Sequence, residues 1–209
     1  MEFFDVFDDN LQPLGKASRL ETHTKGLWHH TFQCWIYREV DGVRKFIVQR
    51  RHPNKEAFPN RLDKSSAGHL MAGETVEDGV REIEEELGLI VPFDQLVPCG
   101  TFMQEHIEPN WKDREICHIF LLHHEQALAE YRLQKEEVTG IFEVEVDAFL
   151  ALMDDYIQSV RVQGLQWNEE LQLYDEVEFE ASASDFTPQR EGYFELIRAG
   201  FEIIKNRSV

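Results

Sequence analysis

The sequence predicts a mixed α/β fold, of the class also written α+β, in which a few helices accompany a larger number of strands. Runs of alternating polarity, typical of half-buried strands, recur along the chain. A short acidic helix is predicted just before Gly88, a residue type that commonly ends helices, and a second amphipathic helix at 193–205. The simplest account is one domain over residues 1–209, with N-terminal strands in about 1–30 and a C-terminal hairpin and helix in about 160–209.

The other elements follow in chain order from the same patterns. Asp41-Gly42 predicts a tight turn between two strands, and polar residues at 167–170 predict the turn of a late hairpin within 160–179. Strands are predicted at 3–7, 14–18, 31–39, 44–49, 96–103, 116–123 and 142–144, and helices at 75–87, 146–158 and 193–205.

Composition restricts the classes of function. The formal net charge of −19 argues against binding to a nucleic-acid polymer or to an anionic membrane surface. The chain has no run of about 20 apolar residues, and its N-terminus lacks the pattern of a signal peptide. The three cysteines are widely spaced, which predicts reduced thiols in a cytoplasmic protein and no structural zinc site.

The acidic helix carries the most informative motif in the sequence. Glu82, Glu85 and Glu86 lie within about a 100° arc of one helical face. Carboxylates this close repel each other unless a cation lies among them, and Mg²⁺ prefers carboxylate oxygens. Arg81 lies four residues before Glu85 and is placed to pair with it. Taken alone, the pattern also fits a solvent-facing acidic surface, so the neighbouring residues decide between the two interpretations.

These neighbouring residues resemble the Nudix box, a motif of glycines and glutamates at set spacings. The resemblance implies a Nudix-type α/β/α sandwich with a mixed central sheet, and hydrolysis of a diphosphate bond with Mg²⁺, for which Mn²⁺ can substitute. It implies that Gly68, Glu82, Glu85 and Glu86 bind the metal, and that Arg81 takes part in catalysis with Glu82 and Glu85. One spacing departs from the motif, because six residues rather than seven separate Glu74 from Arg81. The matching positions are Gly68, Glu74, Arg81-Glu82, Glu85-Glu86 and Gly88.

A basic segment, residues 44–64, precedes the box. It carries seven of the 21 basic residues of the chain and two acidic residues, a net charge of +5. In so acidic a protein, this concentration of positive charge indicates an anion site. Arg50, Arg51 and Lys55 are predicted to bind the substrate phosphates, the arginines through paired N–H donors and the lysine as a point charge.

Several segments narrow the resemblance to the Nudix branch that includes isopentenyl-diphosphate isomerase. They are HHTFQCWIY, QRRHPNKEAFPNRLD, the AGH before the box and DREICHIFLL after it. The essential cysteine of the isomerase is replaced by Ala67, which has no acid–base chemistry. The resemblance also implies a metal site of histidines and acids, although the histidines could equally be hydrogen-bonded core residues. The positions that correspond to this site are His29, His69, Asp113 and Glu115, with His23 one residue out of register.

Together these patterns predict a magnesium-dependent hydrolase that cleaves the diphosphate bond of a nucleotide or another small organic diphosphate. Glu115 is predicted to act as general base or metal ligand, with Glu137 as the alternative base. Two other functions stay open: a diphosphate isomerase, which Ala67 disfavours, and a module that binds a nucleotide without cleaving it, which the intact glutamates disfavour. The substrate and a homodimeric state are left open. Three aromatic residues are predicted to form a substrate wall, hairpin packing or a dimer contact: Trp167, Tyr174 and Phe179.

Overall fold

The computed structural model describes residues 2–109 and 111–207. Within these ranges, the strands belong to one 11-stranded sheet. The strands are β1 (Phe3–Phe7), β2 (Pro13–Ser18), β3 (Trp28–Val40), β4 (Val43–Arg51), β5 (Leu62–Asp63), β6 (Ser66–His69), β7 (Val97–Glu108), β8 (Trp111–His123), β9 (Val138–Glu145), β10 (Val160–Asn168) and β11 (Leu173–Ala181). The α-helices are α1 (Arg19–Lys25), α2 (Arg81–Leu87), α3 (Val146–Met153) and α4 (Tyr193–Arg207).

Strand β3 organises the sheet. It pairs with β8 in parallel and with β1, β4 and β6 in antiparallel register, so the sheet is mixed, as predicted. The longest path through the sheet runs β11-β10-β9-β4-β3-β1-β2, and β7 is attached through β8. The late hairpin therefore continues the same sheet as the N-terminal strands.

Helices cover both faces of this sheet, which confirms the predicted α/β/α arrangement. Side chains alternate between the two faces along β3. Phe32 and Ile36 belong to a buried cluster with Ile83 and Leu87 of α2. On the opposite face, Trp35 belongs to a cluster that includes residues of α3 and α4. The acidic helix and the C-terminal helix thus pack against the sheet from opposite sides.

The acidic helix begins later than predicted. The helix was expected at 75–87, but residues 75–80 are wound more tightly, with i→i+3 bonds from Asp78 N to Thr75 O and from Gly79 N to Val76 O, both 3.2 Å long. The Asp78 carboxylate closes this turn by accepting bonds of 2.7 Å from both N and Oγ1 of Thr75. The α-helix starts at Arg81 and ends, as predicted, at Gly88, whose φ of 65° lies in the left-handed region.

Two strands and one helix also differ in extent from the predictions. Strands β7 and β8 form a long hairpin, reaching residues 108 and 111 where 103 and 116 were expected. Helix α3 ends at Met153 rather than 158, and the short helix α1 was not predicted. The turn of the late hairpin falls between Asn168 and Leu173, about two residues later than expected.

Strand β9 begins at Val138 rather than at 142, and the short strands β5 and β6 were not predicted. Cys34, Cys99 and Cys117 are buried free thiols. Among the described residues, no helix is both long enough and apolar enough to cross a membrane.

Candidate active site

A cavity of about 510 Å³ brings together most of the residues that the sequence singled out. One wall is formed by α2, and another by the C-terminal end of β7 and the N-terminal end of β8. The basic segment contributes Arg51, Lys55 and Lys64, and the stretch between β11 and α4 contributes residues 187–189. We call this stretch, residues 182–192, the C-terminal linker. The cavity therefore draws on nearly the whole length of the chain.

Arg81 organises the acidic wall. Its Nε and Nη2 donate to the two carboxylate oxygens of Glu74 at 2.9 and 3.0 Å, and Nη2 also donates to His69 O at 3.0 Å. Nη1 donates to Glu82 at 2.5 Å and to Glu85 at 3.2 Å, so the expected pair with Glu85 is present. The Arg81 hydrogen bonds, opposed by partial burial, hold the pKa of Glu74 below its usual range. Glu74 thus contacts Arg81 and does not line the cavity.

The three glutamates of α2 have different surroundings. Glu86 is buried and accepts bonds from Ala67 N at 3.1 Å and Gln49 Nε2 at 3.4 Å. Glu85 is the most open, with 53% of its side chain exposed. Burial, followed by the neighbouring charge of Glu86, raises the pKa of Glu82 to about 7. All three carboxylates line the cavity, and a single guanidinium group, that of Arg81, bonds two of them. The excess of negative charge that this leaves is the charge pattern of a cation site.

Gly68 contacts the Glu82 carboxylate directly. A Cβ atom built at Gly68 would lie 2.0 Å from Cδ of Glu82 and 2.3 Å from each of its oxygens. Any larger residue here would displace the carboxylate. The glycine of the box therefore has a steric role, separate from the predicted role of its backbone in metal binding.

The basic wall is held together by internal ion pairs. Asp63, 3% exposed, accepts bonds from Arg51 Nη1 at 2.9 Å and from Lys64 Nζ at 2.8 Å. Although burial opposes ionisation, Lys64 and Arg51 hold the pKa of Asp63 well below its usual range. Lys55 forms an ion pair with Glu137. The structure thus places Arg51 and Lys55 on the cavity, each already paired with a carboxylate.

Arg50 does not join them. Its guanidinium lies over the rings of Phe142 and Phe179, 5.1 and 5.0 Å from their centroids, and Arg50 does not line the cavity. Neighbouring residues of a strand point to opposite faces, and this alternation separates Arg50 from Arg51. The structure therefore places Arg50 outside the cavity that Arg51 and Lys55 line.

Four residues form a second group at the cavity: His23, His29, His69 and Asp113. One ligand atom from each lies within 4.8 Å of all the others. Nδ1 of His23 bonds Arg19 O at 2.9 Å, and Nδ1 of His29 bonds Leu27 O at 3.0 Å. A carbonyl oxygen only accepts, so both Nδ1 atoms carry a hydrogen, and the Nε2 atom of each ring is left to bind a ligand.

The Nε2 atoms of this group face the carboxylate of Asp113. The Nε2 atoms of His23 and His29 each lie 3.4 Å from Oδ1 of Asp113, and His69 Nε2 has no hydrogen-bond partner among the described residues. Burial lowers the pKa of His29 to about 4, so the ring is neutral near pH 7. Imidazoles that are fixed through Nδ1 and that direct Nε2 at a carboxylate fit a divalent transition-metal ion.

Glu115 lies next to this group and faces the cavity, as the i, i+2 spacing from Asp113 predicted. Burial, followed by the charge of Asp113, raises the pKa of Glu115 to about 8. Its Oε2 lies 3.5 Å from Gln33 Nε2 and 3.6 Å from Cys117 Sγ. Glu137, the alternative base, is paired with Lys55.

Several cavity residues were missed by the sequence analysis. Gln104 lies directly across from Glu115 in the β7–β8 pair, a position that only the strand register reveals. Lys64 belongs to the basic segment but lacked a distinguishing pattern. No sequence signal marked a role for several other polar residues of the cavity, among them Arg19, Gln33, Thr187 and Gln189. By contrast, Trp167 and Tyr174 do not line the cavity, and their rings pack 5.1 Å apart across the late hairpin.

The sequence model of the NUDIX domain matches residues 28–167, two thirds of the chain, including all of the box. The chain belongs to the Nudix family. A Nudix hydrolase of Clostridium acetobutylicum, itself uncharacterised, is 39% identical over 94% of this chain and 95% of its own length. This Nudix chain is accordingly a Nudix-type hydrolase, and hydrolases of the family generally use a divalent metal ion. The group of His23, His29, His69 and Asp113 has the donor atoms to hold such an ion.

Two further comparisons agree with this placement. The isopentenyl-diphosphate isomerase of Aliivibrio fischeri is 29% identical over 67% of this chain and 78% of its own length, which confirms the resemblance to that Nudix branch. A crystal structure of a Deinococcus radiodurans protein, 20% identical, superposes with a TM-score of 0.55 over 74% of this chain and 90% of that one. The latter likeness concerns the fold alone.

Proposed function

We propose that this Nudix protein hydrolyses the diphosphate bond of a small organic diphosphate in a reaction that depends on Mg²⁺. One observation carries the proposal: the glutamates of α2 and the basic side chains Arg51, Lys55 and Lys64 line the same cavity. A diphosphate needs both, since its oxygens bind cationic groups while the metal that accompanies it binds carboxylates.

Glu82, Glu85 and Glu86 would hold Mg²⁺, or Mn²⁺ in its place. When bound, such an ion neutralises phosphate charge and lowers the pKa of a coordinated water. Arg81 keeps two of these carboxylates in place by bonding Glu82 and Glu85 from one guanidinium group. Its role would be to orient these carboxylates from within the same cavity wall.

The chain's own side chains would position the substrate and take up the proton. Arg51 and Lys55 would bind phosphate oxygens, and their pairing with Asp63 and Glu137 holds them ready in the cavity wall. Glu115 would accept the proton of the attacking water. It is favoured over Glu137 because Glu137 is engaged by Lys55.

The isomerase alternative is disfavoured by the residues at the cavity. Ala67 stands where the isomerase has its cysteine, and its backbone N–H bonds Glu86. None of the three thiols lines the cavity, and Cys117, although 3.6 Å from Glu115, is fully buried. Deuterium uptake into isopentenyl diphosphate from D₂O, with no phosphate released, would favour the isomerase instead. A module that only binds its ligand is disfavoured because the glutamates are intact.

The decisive experiment measures product release from a panel of nucleoside, sugar and isoprenoid diphosphates with Mg²⁺. Replacing Glu85 with Gln should lower kcat/KM about 100-fold, because one metal ligand is lost. Glu84→Gln is the matched control, since Glu84 lies on the same helix, is exposed and does not line the cavity. Absence of turnover in the wild type, or equal turnover in Glu85→Gln, contradicts the proposal.

The group of His23, His29, His69 and Asp113 would bind a second divalent ion, with Mn²⁺ or Zn²⁺ suited to its nitrogen donors. Metal analysis of the purified protein after dialysis against Mn²⁺ tests this directly. His69→Asn should lower the bound metal by about one equivalent. His124→Asn, outside the group, should not. Unchanged stoichiometry in His69→Asn argues for hydrogen-bonded structural histidines.

A further inference from the structure

A chain of hydrogen bonds runs from helix α4, through the core, to Glu115. Trp35 Nε1 donates to Tyr193 Oη at 3.1 Å, and Tyr193 Oη donates to Gln33 Oε1 at 2.7 Å. Gln33 Nε2 then reaches Glu115 Oε2 at 3.5 Å. Trp35 and Gln33 are 2% exposed, and Tyr193 is 0% exposed. The acid that faces the cavity is thus connected to the first residue of the C-terminal helix.

The direction of each bond in this chain is fixed by chemistry. An indole N–H only donates, so the Tyr193 oxygen accepts from Trp35. The single proton of the phenol is then left for Gln33, and an amide oxygen can only accept it. Since Gln33 uses its oxygen toward Tyr193, its NH₂ group must be the end that faces Glu115. Without the Tyr193 hydroxyl, the amide could turn over and present its oxygen to the carboxylate.

This chain of polar groups lies within an apolar part of the core. Trp35 and Tyr193 belong to a buried cluster made almost wholly of aliphatic and aromatic side chains. Buried polar groups are unfavourable unless they are hydrogen-bonded, and here each member depends on the next. An apolar residue at position 33 would avoid this dependence, but it would give Glu115 no donor.

A second contact links the same part of the chain to the opposite wall of the cavity. Thr187 of the C-terminal linker donates through Oγ1 to Asp63 Oδ1 at 2.6 Å. Asp63 is the carboxylate that holds Arg51 and Lys64. Residues beyond the part of the chain that matches the NUDIX domain therefore support both the basic wall and Glu115.

We propose that Tyr193 is a positioning residue for the hydrolytic reaction, which orients the amide of Gln33 so that its donor holds Oε2 of Glu115. This inference rests on the proposed function, because it takes Glu115 as a group that acts on the substrate. The C-terminal helix, which the sequence marks only as an elaboration, is then part of the catalytic apparatus.

The kinetic test uses Tyr193→Phe, which removes the hydroxyl and keeps the ring. We expect kcat to fall about 10-fold, the equivalent of one hydrogen bond, while KM stays within about twofold. In a Gln33→Leu background the same substitution should cause no further loss, because the amide through which it acts is gone. The matched control is Tyr131→Phe, since Tyr131 is 6% exposed and its hydroxyl has no partner among the described residues. A kcat for Tyr193→Phe equal to that of Tyr131→Phe overturns the proposal.

A second measurement does not depend on turnover. The side-chain amide signals of Gln33, assigned by their loss in Gln33→Leu, are followed by ¹⁵N NMR. In the wild type they should be protected from solvent exchange, and Tyr193→Phe should shift them and speed their exchange. Freely exchanging wild-type signals, or signals unmoved by Tyr193→Phe, overturn the proposal. If the wild type cleaves no diphosphate, the proposed function fails, and the NMR result still decides whether Tyr193 orients Gln33.

Discussion

Replacing Gly68 with alanine tests the geometry of the acidic wall with a single methyl group. The added Cβ would lie 2.0 Å from Cδ of Glu82, whereas ordinary contact begins at 3.4 Å. The backbone at Gly68 is not in the left-handed region, so alanine at this position introduces no backbone strain. The substitution should therefore act on the neighbouring carboxylate alone.

The size of the effect follows from these distances. The Glu82 carboxylate must retreat by about 1.4 Å, the difference between 2.0 and 3.4 Å, and it lies at the end of a flexible side chain. Misplacing a catalytic group by about 1 Å can cost about 100-fold in rate. We expect Gly68→Ala to lower kcat/KM by about 100-fold. The free energy of unfolding should change by less than about 1 kcal/mol, because a non-strained Gly→Ala change is itself mildly stabilising.

The assay compares kcat/KM and urea unfolding for four proteins: wild type, Gly68→Ala, Glu82→Ala and the double variant. In the double variant the new methyl group meets no carboxylate, so it should be no less active than Glu82→Ala. More than half of the wild-type activity in Gly68→Ala would refute the steric reasoning. A further large loss in the double variant would show that Gly68 acts through another group.

Three other predictions follow from the same structure. Asp63→Asn should lower the free energy of unfolding by about 3–5 kcal/mol, measured in urea, because it leaves Lys64 buried without its carboxylate; a loss under about 1 kcal/mol would contradict this. Burial raises the pKa of Glu82 in the folded protein to about 7, above the pKa of a glutamate in the unfolded chain. The contribution of Glu82 to the free energy of unfolding is therefore fully present below the unfolded-state pKa and is lost as the pH rises through 7. The Tm of the metal-free protein should therefore fall between pH 5 and pH 8, and Glu82→Gln should make Tm depend less on pH in this range. Gln104 and Gln189 carry buried amide oxygens without partners among the described residues, so diphosphates with hydroxyl or amino groups should show a lower KM than isopentenyl diphosphate. Gln189→Leu should narrow that difference.

Local signals predicted the parts of the fold that depend on local chemistry. Asp41 and Gly42 have φ values of 52° and 78°, as a two-residue hairpin turn requires. Gly88 ends α2 in the left-handed conformation that glycine favours. Helix α1 was missed because it spans only seven residues, and its ends are set by a Ser18 cap and Gly26 rather than by an apolar stripe.

Two strands that line the cavity were predicted too short, because their cavity-lining portions lack an apolar pattern. Strands β7 and β8 continue past their apolar portions, where their inward positions hold polar residues such as Gln104, His106, Asp113 and Glu115. These residues are polar because they line the cavity, so the alternation that marks a strand disappears where the site begins. For the same reason, contacts such as Gln33 with Tyr193, 160 residues apart, are invisible in one sequence.

The charges of the cavity change the interpretation of the basic segment. Its net charge of +5 predicted an anion site, but Arg51, Lys55 and Lys64 are each paired with a carboxylate. Among the described residues that line the cavity, nine are acidic and five are basic, a formal charge of −4 when all are ionised. A diphosphate would be repelled by such a cavity unless divalent cations entered with it. Burial raises the pKa of Glu82 and of Glu115, and the neighbouring negative charges of the same cavity raise them further. The metal ions of this hydrolase would therefore act first by making substrate binding electrostatically favourable, and the basic side chains by aligning the phosphates once that charge is neutralised.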